Sequence, residues 1–433
     1  MSTARFRGGV HPDDRKAATA SLPVVRAGVP ASVTVPMSQH LGAPCEPVVA
    51  AGDRVKRGQT VGDIRAKVSA PVHSPVDGTV TEVADVLLAG GTHAVAVRIE
   101  PDAGQDLDTW LPVAENDDPR EVVCAAGIVG MGGAAFPTKV KLEPPHDMPV
   151  STVLLNGCEC EPYLTCDHRT MLESPGKVVG GAKRIRDIVG AKRIVIGVED
   201  NKPDAIDALR AAAGEGVEVM SLPTRYPQGA EKQLIWAVLA KEVPHGKLPA
   251  ATGALVHNVG TAAAVHDAFE LRKPLIERVV TVSGAVAKPG NYLTLIGTSV
   301  GDLLEMAGGV TDPTAKIVSG GPMCGAAVGS LDVPVTKGTS GVIAIPAAEG
   351  APDVNDDQAC IRCGRCADAC PMMLEPYQIG IYSYAHDWDR CEEFHALDCI
   401  ECGCCAFVCP SRRPLVPLIR RAKATLMSRG AKL

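Results

Sequence analysis

The chain has 433 residues, of which 46% are apolar and only 3% aromatic, and its formal net charge is −7. The length predicts about three to four domains, and the weakly acidic balance argues against nucleic acid as the main partner. No stretch approaches the roughly 18 apolar residues that cross a bilayer. The polar first residues give no sign of a secretory signal.

The first 120 residues predict a polar leader, an all-β domain and a linker. Residues 1–20 are polar, residues 21–100 hold short valine-rich runs between turn signals, and residues 101–120 are rich in Pro and Asp. Two stretches, VAAGDRVKRGQTVGDI and SAPVHSPVDGTVTEV, resemble the barrel-sandwich fold of lipoyl and biotinyl domains. The corresponding turn at 73–78 reads HSPVDG and lacks the lysine that those domains modify. This favours a structural or docking module over a swinging arm.

The middle of the chain predicts an α/β domain followed by a smaller β-rich domain. Between 121 and 275, apolar strands at 153–155 and 194–198 alternate with helical stretches such as GKVVGGAKRIRDIV and PDAIDALRAAA. This alternation predicts a mostly parallel sheet with helical cover. Residues 278–345 predict a hairpin and a short helix ended by Gly308, similar to a soluble-ligand-binding (SLBB) β-grasp module.

Cysteines dominate the last predicted domain, residues 352–433, whose first residues overlap a second predicted linker at 346–359. Ten of the 16 cysteines lie between 360 and 409. They form two C-x2-C-x2-C-x3-C-P runs, the spacing of bacterial ferredoxins with two [4Fe–4S] clusters, in which the fourth cysteine of each run serves the other cluster. Two structural zinc sites are the alternative, but zinc needs only paired C-x-x-C units. The predicted ligand sets are Cys360, Cys363, Cys366 and Cys409 for one cluster and Cys370, Cys399, Cys402 and Cys405 for the other.

Several cysteines fall outside this pattern. The stretch GCECEPYLTCDH at 157–168 has the spacing C-x-C-x5-C, which fits neither a cube nor a zinc pair, so its thiols are predicted to be small buried fillers. Strand alternation would send Glu159 and Glu161 to one side. Cys404 beside a ligand is predicted to be a spare packing thiol, with ligand exchange as the alternative, and Cys391 to be inert.

Clusters of this kind carry single electrons, so a two-electron converter is expected upstream, and a flavin is the natural one. The segment GIVGMGGAAFPTKVKL at 127–142 is a candidate site for it. Its glycines allow the backbone to approach a phosphate or an isoalloxazine ring. Phe136, Lys139 and Lys141 add an aromatic face and cations for a dinucleotide.

Four motifs in order carry a family resemblance: GGAAFPTKVKL, LLNGCECEPYLTCDHRTMLE, YPQGAEKQLI at 226–235 and HNVGTAAAV at 257–265. They look like the FMN- and NADH-binding fold of the flavin subunit of respiratory complex I. The whole order over about residues 5–425, including GGPMCG at 320–325, more closely resembles the C subunits of Rnf complexes. The implied fold is a barrel-sandwich hybrid, a complex I-like flavin domain, an SLBB β-grasp domain and a two-cluster ferredoxin domain.

The resemblance implies roles for individual residues. The FMN site would comprise Gly130, Gly132, Gly133, Asn156, Glu159, Tyr226, Gly229, Glu231, Asn258 and Thr261. Phe136, Lys141 and Glu161 would face NAD(H), Phe136 by stacking and Glu161 by accepting bonds from adenosine-side groups. Two positions depart from the pattern, because Ala135 replaces a usual Gly and Ala230 replaces a Glu of complex I.

The implied function is electron entry or exit in a membrane-bound, ion-translocating ferredoxin:NAD oxidoreductase. NADH would transfer a hydride to FMN without a general acid or base, and electrons would pass through the clusters to membrane-spanning and ferredoxin-like partner subunits, and so to or from ferredoxin or flavodoxin. The place implied is the cytoplasmic face of a bacterial inner membrane, as a peripheral subunit. A cobalamin reductase of a microcompartment is an alternative with similar modules. A scaffold or cluster relay that does not bind NADH is another.

Overall fold

Valine-rich strands near the start of the chain build two small antiparallel sheets that share one core. The computed structural model describes residues 5–311, 313–349 and 359–430. One sheet has the order β2-β8-β7-β4 and the other β3-β5-β6, and Val35, Val61 and Val97 are buried between them. The strands of this part are β1 (Val24–Arg26), β2 (Val33–Pro36), β3 (Glu46–Pro47), β4 (Arg54–Val55), β5 (Thr60–Asp63), β6 (Val72–His73), β7 (Gly78–Leu87) and β8 (His93–Pro101).

The turn at 73–78 of this barrel-sandwich domain is packed against the rest of the molecule. His73 to Val76 are buried, and Arg57 beneath them donates from Nη1 to the Pro75 carbonyl. The Nη2 atom of Arg57 lies 2.7 Å from Oε2 of Glu277, which belongs to the β-grasp domain. A swinging arm needs an exposed tip, whereas this tip is held inside the molecule.

The second domain is a doubly wound α/β fold. Its four strands are all parallel, in the order β11-β10-β9-β12. Alternate residues of β9 face opposite layers, so Val153 packs with α4 and α7 while Leu154 packs with α6. The elements are α1 (Pro119–Ala125), α2 (Thr138–Lys141), β9 (Thr152–Asn156), α3 (Cys166–Glu173), α4 (Pro175–Val189), β10 (Arg193–Glu199), α5 (Pro203–Ala213), β11 (Val217–Leu222), α6 (Glu231–Leu239), β12 (Ala254–Asn258) and α7 (Val259–Glu270). This is the parallel sheet with helical cover that the sequence predicts.

The third domain is a six-stranded sheet of order β1-β14-β13-β17-β15-β16 with one covering helix. The predicted hairpin is present as the antiparallel pair β13–β14. Strand β1 adds in parallel to the edge strand β14, although the sequence places it in the preceding domain. A three-residue strand carries no pattern that selects a sheet, and the open edge of β14 offers unpaired backbone groups. The elements are β13 (Glu277–Gly284), β14 (Gly290–Leu295), α8 (Val300–Met306), β15 (Thr314–Ser319), β16 (Ala326–Ala327) and β17 (Gly341–Pro346).

The fourth domain is helical and contains both cysteine runs. Within each run a short helix begins directly after a glycine with positive φ. These glycines are Gly364 (φ +79°) and Gly403 (φ +78°), so the two runs have the same local fold. The insert between them is helical. The helices are α9 (Arg365–Asp368), α10 (Pro376–Tyr384), α11 (Trp388–Glu393), α12 (Cys404–Phe407) and α13 (Leu415–Ser428).

The predicted leader is irregular but well packed. Residues 1–4 lie outside the described residues. The Gly9 amide donates to the Ala369 carbonyl at 2.9 Å, and Val10 pairs with Tyr226, so the leader runs between the α/β and cysteine-rich domains. None of the helices in the described ranges has the length and apolar character needed to cross a membrane.

Candidate functional site

The crevice of the α/β domain lies where β9 and β12 end side by side. Asn156 and Asn258 are register partners at the carboxyl ends of these strands. The strand order reverses here, since β10 and β11 continue on the other side of β9, and ligands of open α/β sheets bind at such a switch point. Asn258 caps α7, because its Oδ1 accepts from the amides of Gly260 at 2.8 Å and Thr261 at 3.3 Å.

The glycine loop lies against this crevice. The Met131 amide donates to Thr261 Oγ1 at 2.9 Å, and the Gly130 amide donates to the Phe136 carbonyl at 2.8 Å. A Cβ at Gly132 would lie 3.3 Å from Asn258 Cβ, whereas at Gly133 (φ +119°) it would meet no described heavy atom within 4 Å. The backbone of this loop is therefore open on the solvent side, which suits close approach by a phosphate or a ring.

Ala135 closes the loop in a conformation that favours glycine. Its φ is +49°, in the left-handed region, where a side chain costs about 1 kcal/mol. The loop keeps its turn with Ala135, and the Ala135 carbonyl accepts from the Leu41 amide of the barrel-sandwich domain at 3.2 Å.

Four further predicted residues converge on the other side of the crevice. Lys141 Nζ lies 2.8 Å from Glu231 Oε1 and 3.0 Å from the Val256 carbonyl. Asn156 Nδ2 donates to the Gly229 carbonyl at 2.8 Å. The structure thus brings the YPQGAEKQLI segment, α2 and the end of β9 to one place. Because Lys141 and Glu231 are both partly exposed, a dinucleotide could reach them.

Glu159 and Glu161 do not share a side, contrary to prediction. Strand β9 ends at Asn156, and Glu159 has φ +49°, so strand alternation no longer applies at these positions. The Glu159 carboxylate accepts from the amides of Asp167 at 2.6 Å and His168 at 3.1 Å, at the start of α3. Glu159 therefore stays beside the crevice, while Glu161 turns away from it.

Buried lysines support this loop from below. Lys16 Nζ donates to the Glu159 carbonyl at 2.7 Å, and Lys202 Nζ donates to the Cys158 carbonyl at 2.7 Å. The thiols of Cys158 and Cys166 are buried, and burial raises the pKa of each above its ordinary value. Neutral buried thiols agree with the predicted filler role.

Asp167 is a residue of the crevice that sequence reasoning missed. Its Oδ2 accepts from Asn258 Nδ2 at 2.6 Å. Burial, and then the charge of Glu159, raise the pKa of Asp167 to about 7. The sequence signal that could have identified Asp167 is its position at the start of the helix that follows GCECEPYLTC. The prediction for that stretch centres on its glutamates instead.

The eight predicted ligand cysteines line two separate cavities. The grouping is the one that the interleaved spacing predicts, with the fourth cysteine of each run crossing to the other site. Four thiols facing one cavity are the donor set of a [4Fe–4S] cube. One cavity is lined by Cys360, Cys363, Cys366 and Cys409, and the other by Cys370, Cys399, Cys402 and Cys405.

The two cavities differ in their surroundings. The second adjoins the α/β domain, since Tyr226 Oη donates to the Cys402 carbonyl at 2.7 Å and Gln233 Nε2 to the Pro371 carbonyl at 3.2 Å. The first lies toward the surface, where Cys363 is exposed and Ile361 is 66% exposed. Cys404 is fully buried and lines the second cavity together with the four predicted ligands, whereas Cys391 is buried in the helical core.

Glu161 and Tyr226 are the two predicted crevice residues that the structure places elsewhere. The Glu161 carboxylate accepts from the amides of Met323 at 3.0 Å and Cys324 at 2.8 Å in the β-grasp domain. Tyr226 Oη lies 3.5 Å from Glu161 and contacts the Cys402 carbonyl. Both side chains therefore lie where the α/β domain meets the β-grasp loop and the cysteine loop at Cys402.

Comparison with known proteins follows this domain order. Family models match as the RnfC Barrel sandwich hybrid domain at 4–104, the Nuo51 FMN-binding domain at 123–267, the SLBB domain at 279–327 and the 4Fe-4S dicluster domain at 352–410. The C subunit of the proton-translocating ferredoxin:NAD(+) oxidoreductase complex of Clostridium ljungdahlii is 46% identical over 99% of this chain and 95% of its own.

The chain belongs to the family of C subunits of Rnf-type ferredoxin:NAD(+) oxidoreductase complexes. A second member, from the Na(+)-translocating complex of Acetobacterium woodii, is 45% identical over 99% of this chain and 98% of its own. The C subunit of the ion-translocating oxidoreductase complex of Rhodobacter capsulatus is 39% identical over 100% of this chain and 85% of its own.

A solved structure outside the family shares the fold. The NAD+-reducing [NiFe]-hydrogenase in its H2-reduced state superimposes with a TM-score of 0.52 at 20% identity, over 72% of this chain and 63% of that one. Within the family fold, this chain carries an FMN-binding domain and an iron–sulfur dicluster domain, as predicted.

Proposed function

We propose that this chain is the subunit through which electrons enter or leave an ion-translocating ferredoxin:NAD+ oxidoreductase complex by way of NAD(H). The observation that carries the proposal is the direct contact between the domain that holds the crevice and the second cysteine site. The α/β domain that holds the crevice is hydrogen-bonded, through Tyr226, to the cysteine loop at Cys402. When bound, FMN would supply the step from two-electron to single-electron transfer, since it accepts a hydride from NADH and releases single electrons, and iron–sulfur clusters carry single electrons.

The residues of the crevice would bind and orient the flavin. The loop amides beyond Gly130 offer backbone donors. The hydroxyl of Thr261 holds this loop by accepting from the Met131 amide, and Asn258 caps the start of α7 and contacts Asp167. Asn156 and Gly229 would bound the opposite edge. Hydride transfer needs orientation and exclusion of water rather than a general acid or base. The set proposed for FMN is Gly130, Gly132, Gly133, Asn156, Glu159, Gly229, Glu231, Asn258 and Thr261.

The side of the crevice toward Phe136 and Lys141 would receive NAD(H). Phe136 is half-buried at the end of the glycine loop, where its ring could stack on a nicotinamide or adenine. Lys141 carries a positive charge at the rim, paired with Glu231, and could contact the dinucleotide phosphates. Glu161 is left out of this set because its carboxylate is engaged by the amides of Met323 and Cys324.

The cysteine sets would hold the two clusters in a fixed order. The site of Cys370, Cys399, Cys402 and Cys405 adjoins the flavin domain, and the site of Cys360, Cys363, Cys366 and Cys409 lies toward the surface. We assign exchange of electrons with a partner subunit to the outer site. The partners would be the membrane-spanning and ferredoxin-like subunits of the complex, with this chain peripheral on the cytoplasmic face of the membrane.

The cobalamin reductase alternative is not favoured, because the identity extends over the whole chain, including the barrel-sandwich domain. The intact grouping of eight cysteines argues against a scaffold without clusters. A relay that lacks NADH activity is the remaining competitor, since the crevice is built mostly from backbone and amides.

The test is anaerobic purification of the full chain with iron, flavin and NADH-to-dye activity measured on one sample. We expect about eight irons and one FMN per chain, with NADH oxidation. Iron without flavin or NADH oxidation would reject the NADH site and leave a cluster relay.

A further inference from the structure

Three domains meet at one small junction beside the second cysteine cavity. The α/β domain contributes Glu161 and Tyr226, the β-grasp domain contributes the loop around Met323 and Cys324, and the cysteine-rich domain contributes the loop at Cys402. The chain segments that meet here are far apart in sequence. Their contact is therefore a property of the tertiary structure alone.

Glu161 clamps the β-grasp loop. Its two carboxylate oxygens each accept one backbone amide, from Met323 and from Cys324, which is the strong, charge-assisted form of hydrogen bond. A Cβ at Gly321 would collide with this carboxylate. The GGPMCG segment thus fits around the Glu161 side chain, and its glycine is required by close packing at the clamp.

The β-grasp loop held by Glu161 packs in turn against the cysteine loop that contains Cys402. A Cβ at Gly403 would lie 2.7 Å from the Met323 carbonyl, so the ligand loop passes directly over the β-grasp loop with no room for a side chain. Tyr226, only 2% exposed, donates from Oη to the Cys402 carbonyl at 2.7 Å and lies 2.9 Å from Cys324 Sγ. The Tyr226 hydroxyl of the α/β domain therefore contacts both the β-grasp domain and the cysteine-rich domain, next to the predicted ligand Cys402.

We propose that Glu161 and Tyr226 are positioning residues for the second cluster site, holding the Cys399–Cys405 loop at a set distance and orientation from the flavin crevice. Hydrogen bonds just outside a metal site orient its ligands and tune its electronic properties. The inference rests on the proposed function, and it gives Glu161 a role toward the cluster instead of the dinucleotide.

Glu159 and Glu161 would then have different roles. Glu159 caps α3 beside Asp167 and Asn258, at the crevice, whereas Glu161 two residues later contacts the amides of Met323 and Cys324 in the β-grasp loop. The stretch GCECEPYLTCDH links the two redox sites through its backbone. A change at Glu161 should therefore alter the cluster while leaving hydride transfer unaffected.

The experiment uses the anaerobically purified full chain with Tyr226→Phe and Glu161→Gln. Tyr292→Phe is the matched control, because Tyr292 also donates its hydroxyl to a backbone carbonyl, that of Lys288 at 2.7 Å, inside the β-grasp domain. Each variant is titrated electrochemically with electron paramagnetic resonance detection of both clusters. Stopped-flow spectroscopy then follows reduction of flavin by NADH and the later reduction of the clusters.

We expect each of the two variants to shift the midpoint potential or spectrum of one cluster only, and to slow reduction of that cluster about tenfold. The rate of flavin reduction by NADH and the KM for NADH should equal those of the wild type and of Tyr292→Phe. Selective loss of about four of eight irons, with flavin retained, would support the proposal as well.

Unchanged potentials, spectra and cluster reduction rates in both variants would overturn the proposal. A raised KM for NADH with unchanged clusters would also overturn it and return Glu161 to the dinucleotide site. Failure of the proposed function looks different, because wild-type chain would then lack flavin or fail to oxidise NADH before any variant is compared.

Discussion

Lys337 is a buried cation at the meeting point of three domains, and its replacement by methionine makes a demanding test of the structure. The side chain is 1% exposed, and Nζ donates at 2.7 Å to the carbonyls of Pro71 in the barrel-sandwich domain and Gly127 at the start of the glycine loop. Methionine keeps the length of the side chain but removes both hydrogen bonds. Two buried carbonyls then lose their partner, at a cost of about 1–3 kcal/mol each.

The pH dependence of this cost follows from the pKa of Lys337, which burial lowers from 10.5 to about 7. The folded state then binds fewer protons than the unfolded state between these two values, so the wild type gains stability as pH rises through that window and is least stable below pH 7. From pH 6.5 to 8.5 the gain is about 2 kcal/mol. Lys337→Met lacks this gain, so its deficit should be larger at pH 8.5.

The surrounding groups do not reverse that sign. His40 and His73 face Lys337, and burial lowers the pKa of each, that of His73 to about 3. The thiols of Cys45 and Cys124 have pKa values raised by burial. Burial therefore favours the neutral form of each of these groups, and all four are present in both the wild type and Lys337→Met, so the comparison between the two isolates Lys337.

The assay is thermal unfolding of the full chain, wild type and Lys337→Met, at pH 6.5 and 8.5. Lys288→Met is the control, since Lys288 is an exposed lysine of the same domain. We expect a lower unfolding temperature for Lys337→Met at both pH values and a larger difference at pH 8.5. A difference that is equal at both values, or larger at pH 6.5, would refute the reasoning from burial.

Three further predictions concern the sites. Cys360→Ser should lower the iron content from about eight to about four per chain and leave flavin reduction by NADH intact; loss of flavin as well would contradict the separation of the two sites. Asn258→Ala should lower bound flavin and destabilise the chain by about 1 kcal/mol, because the cap of α7 is removed; unchanged flavin content would place the flavin elsewhere. Lys141→Met should raise the KM for NADH with flavin content unchanged, measured by steady-state NADH-to-dye kinetics; reduced flavin content with an unchanged KM would instead assign Lys141 to the flavin.

Much of the architecture could be predicted because its signals are local. The repeated cysteine spacing predicts both the cluster type and the crossing of Cys370 and Cys409, since three closely spaced thiols can only surround one centre. Alternation of apolar strands with helices predicts the parallel sheet, and Asn156 and Asn258 fall at its carboxyl edge because each ends a strand.

Other features could not be predicted, because they depend on where distant segments come to lie. Strand β1 is too short to select a sheet, and it joins the β-grasp domain because the edge of β14 is open to it. The loop dihedral at Glu159 decides that Glu161 points away from the crevice. Asp167 gains its raised pKa only where Glu159 and the surrounding buried core meet it.

The sequence by itself therefore determined the domain order and the family, and it predicts the eight cluster ligands, because residue spacing and periodicity act over short stretches of chain. The tertiary structure alone decided that Glu161 and Tyr226 belong with Cys402, and that Lys337 supports the glycine loop. Those contacts join groups from different domains, and no local pattern records which distant backbone a buried side chain will meet.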